Sequence, residues 1–188
     1  VVDCLFYPTA PATLSAQVVD YIASVGTDDA ARLPKLLITP HAGYVYCGAI
    51  AGHAYALLGR RHAQISRVVL LGPAHRVAVD GLAAPEADAF ETPLGEIMLD
   101  VAALASLDDL PQVVRDDRAH EREHSLEVQL PFLQTLLESF TLVPLVVGDA
   151  SAEAVAQVLE LLWGGEETLI VISSDLSHYL PYAQAQAV

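Results

Sequence analysis

The chain has 188 residues, 53% hydrophobic and 18% charged, with 24 acidic side chains against nine basic ones and a net charge of −15. It is long enough for a single domain with a full apolar core and too apolar to be disordered. The acidity argues against nucleic acid and against an anionic membrane surface, and no apolar run reaches the roughly 18 residues that span a bilayer.

Residues 5–8 form a short extended lead, and Thr13 or Ser15 can cap a helix running to about Val25, with Leu14, Val18, Tyr21, Ile22 and Val25 on one face. Residues 36–39 are the first strong strand. They lead into Pro40-His41-Ala42-Gly43-Tyr44 and a helix over 45–58. A second apolar strand, 68–71, ends in Gly72-Pro73-Ala74-His75, and 79–84 read as a further short strand. Thr92-Pro93-Leu94-Gly95 has Pro at the second position of a turn; a strand over 96–99 and a helix over 101–106, capped by Asp100, follow. Residues 108–122 are polar and read as loop, and 125–138 as a helix that Pro131 may enter only near its start or kink. The chain continues with a strand over 142–147, a helix over 151–162 capped by Ser151, and a strand over 169–172. Residues 182–188 then have the pattern of opening helical turns. Continuous apolar strands alternating with helices predict an α/β fold: a layered, mostly parallel sheet flanked by helices.

Three of the seven histidines follow core strands. His41 comes after 36–39, His75 after 68–71, and Asp175 with His178 after 169–172. A parallel sheet gathers its strand carboxyl ends along one edge, where ligands bind, so these residues are expected to share a cleft. Two neutral imidazoles and a third ligand suit Fe, Cu or Zn. Asp175, three residues from His178, can orient that imidazole or leave it to act as acid or base beside a metal. Tyr44 can offer a hydroxyl to a ligand or simply pack on its own helix. Cys47 is a soft ligand or a small buried residue.

His120-Glu121-Arg122-Glu123-His124 satisfies His-Glu-x-x-His, a zinc-protease pattern that needs both histidines on one helix face. The pentapeptide follows a polar stretch without helical periodicity, which makes a zinc hydrolase the weakest reading. His124 and Glu127 open the next helix and can face the cleft. His53 and His62 read as structural or solvated, and two thiols, Cys4 and Cys47, suggest no disulfide framework but a reduced, cytoplasmic protein.

Five ordered motifs carry a family resemblance. They are Pro40-His41-Ala42-Gly43-Tyr44 with Tyr46-Cys47-Gly48, Gly72-Pro73-Ala74-His75, Thr92-Pro93-Leu94-Gly95, the run from Glu123 to Phe132, and Ser173-Ser174-Asp175-Leu176-Ser177-His178-Tyr179. Over nearly the whole chain they resemble the Memo family, whose prokaryotic members are called AmmeMemoRadiSam system protein B. The resemblance implies a fold similar to the LigB-type (class III) extradiol dioxygenases, with His41 and His75 as metal ligands. It places Asp175 and His178 in the same pocket, with His178 in the acid–base position. It puts the third ligand, a cysteine, beyond Val188, so the single domain over 1–188 is expected to lack its carboxyl-terminal portion. By resemblance the activity is metal-dependent redox chemistry or, alternatively, that of a non-catalytic module binding a small molecule or peptide. The family name associates it with a radical SAM protein and an AMMECR1-like protein.

Overall fold

The structure, a computed structural model, describes residues 5–25, 34–175, 177 and 180–187. Eight strands are present among them: β1 (Leu36–Thr39), β2 (Arg67–Pro73), β3 (Leu82–Ala84), β4 (Ala89–Thr92), β5 (Gly95–Met98), β6 (Val113–Arg115), β7 (Thr141–Val147) and β8 (Thr168–Ser173). The helices are α1 (Pro11–Ala23), α2 (Tyr44–Ala56), α3 (Val101–Ala105), α4 (His124–Glu127), α5 (Leu130–Leu136), α6 (Ala152–Leu162) and α7 (Tyr182–Ala185). Six strands form one sheet in the order β1-β8-β2-β7-β3-β6, and β4 with β5 form a separate antiparallel hairpin. Every pairing in the large sheet is parallel except that of β3 with β7. No helix among the described residues is long and apolar enough to cross a membrane.

The central strands explain the apolar runs. Val68, Val69, Leu70 and Leu71 of β2 are each 2% exposed or less, because both faces of a parallel sheet are covered. Each such side chain contributes roughly 1.5–3 kcal/mol on burial. On one side, α1 lies against α2 and α5, and the Tyr55 ring of α2 stacks on Phe132 of α5 at 5.0 Å.

Four local expectations change. The first helix begins at Pro11, not at a Thr13 or Ser15 cap, since proline is pre-set for the first helical position and Ala10 offers no capping side chain. The helix expected over 125–138 is broken into α4 and α5. Pro131 has no N–H to give to the carbonyl four residues back, and its ring crowds that carbonyl, so a second helix starts around it. The stretch 108–122 contains β6 and a 3-10 turn over Asp117–Ala119, held by pairing with β3 that local polarity does not reveal. The strand after the Thr92–Gly95 turn is matched by β4, so that turn closes a hairpin.

Helices α1 and α2 meet at Gly48 and Gly52. A Cβ on Gly52 would sit 2.6 Å from the Tyr21 carbonyl oxygen, and one on Gly48 would sit 2.3 Å from the Tyr21 ring. The Gly52 contact is with backbone, which cannot swing aside. Gly52→Ala is therefore expected to destabilise the fold by about 1–3 kcal/mol through overpacking, read as a lower urea midpoint with an unchanged slope.

Candidate metal centre

The sheet register determines which turns meet. Thr39 of β1 lies opposite Ser173 of β8, and Leu71 of β2 opposite Ile172. The turns after β1, β2 and β8 therefore leave the sheet side by side. The His41 backbone N–H donates to Asp175 Oδ1 at 2.8 Å, tying the first turn to the third. Gly72 near the end of β2 lets the start of α4 come in: a Cβ there would meet Ser125 Oγ at 2.7 Å and Leu126 Cδ2 at 2.9 Å. The Ser125 hydroxyl donates to Pro73 O across this contact, which sets His124 against His75.

Three imidazoles converge. Ring centroids of His41 and His75 are 5.2 Å apart, those of His75 and His124 4.6 Å, and those of His41 and His124 5.6 Å. One nitrogen from each lies within 4.8 Å of the other two. His41 is 1% exposed, His124 is partly buried and His75 is exposed, so the cluster opens to solvent on the His75 side.

Glu123 organises this group. Its side chain is buried and accepts three hydrogen bonds, from the His75 backbone N–H (2.6 Å), His75 Nδ1–H (2.9 Å) and the Ser125 N–H (3.0 Å). Burial pushes its pKa up, but the bonds from Ser125 and His75 outweigh that and hold the carboxyl below its usual range. An ionised carboxylate only accepts, so His75 Nδ1 carries a proton and, in the neutral ring, Nε2 carries the lone pair. Burial drives His124 down to about 4, opposed by Glu123 and reinforced by His75, His41 and Arg76. This imidazole is neutral near pH 7. Its Nδ1 is buried without a hydrogen bond among the described residues, with Glu123 Oε1 at 3.4 Å. Imidazoles that crowd one another, one of them held neutral and with an unsatisfied buried nitrogen, are a donor set that fits a divalent cation.

The expected site residues divide as follows. His41, His75 and Asp175 are brought together, and Asp175 Oδ2 lies 3.7 Å from His41 Nε2. His178 lies outside the described residues, so its acid–base role and its pairing with Asp175 stay with the sequence reading. His124, expected as a pocket residue, brings a third nitrogen to His41 and His75 among the described residues, and the cysteine expected beyond Val188 lies outside them. Glu127 is buried and accepts from the Tyr7 hydroxyl. Tyr44 is 3% exposed, and its hydroxyl donates to Val128 O at 2.7 Å, so it packs and ties α2 to the α4–α5 junction. Cys47 is also buried, with its thiol on Ala42 O and its pKa pushed up to about 11 by burial and by Asp175. It is thus held as the neutral thiol, and its sulfur is not among the converging donor atoms of the histidine cluster. His120 is turned away, with Nε2 3.1 Å from Ala83 O and its ring edge-on to Phe90; it ends a 3-10 turn while His124 begins α4, so the two share no helix face.

Sequence reading missed Glu123, whose one local signal is an acidic residue in the N-cap position before a helix. Replacing it would leave three donors without their acceptor. Glu123→Ala is expected to cost about 3 kcal/mol in urea unfolding, while the exposed Glu121→Ala stays within about 0.5 kcal/mol.

The profile of Memo-like protein matches residues 2–187. The chain is similar to MEMO1 family proteins: 34% identical over 186 residues to one from Archaeoglobus fulgidus, covering 94% of this chain and 66% of that protein. One from Aquifex aeolicus is 39% identical over 157 residues, covering 81% of this chain and 57% of its own length. One from Methanopyrus kandleri is 38% identical over 168 residues, with coverages of 85% and 58%. The chain thus spans less than two thirds of each of these relatives. With a family profile matched from end to end and relatives sharing a third or more of their aligned residues, this chain belongs to the Memo-like family.

Proposed function

We propose that this chain forms the metal-holding part of a non-haem, dioxygenase-like redox protein, with His41, His75 and His124 as the protein ligands. The observation that carries the reading is the convergence of three imidazole nitrogens within 4.8 Å of one another at the carboxyl ends of parallel strands. Imidazole donors suit Fe(II), Cu and Zn, and of these iron and copper would supply Lewis acidity and one-electron redox chemistry. The chain's own contribution is positional. Glu123 orients His75, Asp175 secures the His41 turn, and exposure of His75 leaves a path for a small molecule with oxygen donors. On the same reading His178 is the group that moves protons.

Metal analysis of the anaerobically purified full-length protein tests this reading. Near-stoichiometric iron or copper is expected in the wild type and in His120→Ala, and its loss in His75→Ala and His124→Ala. Unchanged metal in His75→Ala would overturn the assignment. Loss of zinc from His120→Ala with retention in His41→Ala would instead favour the hydrolase reading.

A further inference from the structure

The floor of the cluster is a polar network that local sequence does not announce. His41 Nδ1 lies 3.1 Å from Ser173 Oγ at the end of β8. The Ser173 hydroxyl has one proton, and that proton goes to the Ser125 carbonyl at 2.5 Å, which can only accept. Gln129 Nε2 donates both to Ser173 Oγ and to Pro40 O, each at 2.9 Å. The Pro40 carbonyl forbids the flipped amide, and Gln129 Oε1 takes the Tyr55 hydroxyl at 3.1 Å. Tyr55, Gln129, Ser173 and His41 are each 2% exposed or less, so water does not stand in for any of them.

With its only proton spent on Ser125, the Ser173 oxygen faces His41 with a lone pair, and His41 Nδ1 must bring the proton. We propose that Ser173 and Gln129 are positioning residues that hold His41 as its Nδ1–H tautomer and turn Nε2, with its lone pair, toward His75 and His124. Asp175 Oδ2, 3.7 Å from Nε2, is beyond hydrogen-bond reach, but its charge favours a proton on Nε2, so the Ser173 contact works against it. His75 receives the same tautomer from the Glu123 carboxylate, so two different second partners impose one orientation on two ligands. A merely structural network would satisfy the same buried groups but would have no bearing on which His41 nitrogen is protonated. The consequence for metal affinity rests on the metal-centre reading above; the tautomer itself does not.

Long-range proton–nitrogen NMR on histidine-labelled, metal-free full-length protein reads the tautomer directly. Wild-type His41 is expected as Nδ1–H, and Ser173→Ala as a mixture containing Nε2–H. Ser173→Thr, which keeps the hydroxyl, is expected to restore the wild-type signal. In a Co(II) titration Ser173→Ala is expected to lose roughly 10- to 100-fold in affinity, with recovery in Ser173→Thr. Gln129→Met, which removes the second donor to Ser173, is expected to shift both readouts in the same direction. An Nε2–H tautomer in the wild type, which needs no variant to fold, overturns the proposal, as does Ser173→Ala with His41 still Nδ1–H. A tautomer change in Ser173→Ala, with no cobalt bound even by the wild type, would sink the metal centre and leave the positioning role standing.

Discussion

Parallel pairing of β8 with β1 on one side and β2 on the other puts Thr39 opposite Ser173 and Leu71 opposite Ile172, and the site depends on that register. A slip of one residue would turn each buried side chain to the other face of the sheet and carry each histidine turn past its neighbour. Because β2 and β8 are apolar on both faces, the register is held by the packing of the core and not by the polar groups at the edge. The histidine-bearing turns thus sit on the buried centre of the sheet, just beyond its hydrogen-bonded strands.

Electrostatics at the cluster differ from those of the molecule as a whole. The chain is strongly acidic, yet the group at its centre is imidazole, and the buried Glu123 carboxylate beside it accepts from three N–H donors. Burial keeps His124 neutral against the pull of the neighbouring Glu123 carboxylate. Lone pairs are therefore available at neutral pH, which the binding of a cation requires.

Family membership and site geometry support one another without being the same statement. The Memo-like profile covers the chain from end to end, whereas the chain spans less than two thirds of these relatives' own length. The three-histidine cluster lies within this span, and the cysteine that the resemblance places beyond Val188 lies outside it. The His-Glu-x-x-His match, by contrast, dissolves in three dimensions: His120 and His124 are four residues apart but belong to different elements and face different partners.

Much of the architecture was legible in residue order. Apolar runs bounded by Gly, Pro and His turns located β1, β2, β7 and β8, and the recurrence of histidine after three of the four pointed to one edge of the sheet, because strand and turn preferences are local and periodic. Element ends at Pro11 and Pro131 and the short strands β4 and β6 were not legible, since a neighbouring strand or a missing N–H decides them. The sequence by itself determined the α/β class, the family and the pairing of His41 with His75. Only the tertiary structure decided that His124 joins them, that the Tyr44 hydroxyl and Cys47 thiol bond to backbone carbonyls, and that Glu123, Ser173 and Gln129 stand behind the imidazoles. The physical reason is separation along the chain. The proton on His41 Nδ1 depends on a hydroxyl 132 residues away, and that hydroxyl's own proton depends on a carbonyl 48 residues from it.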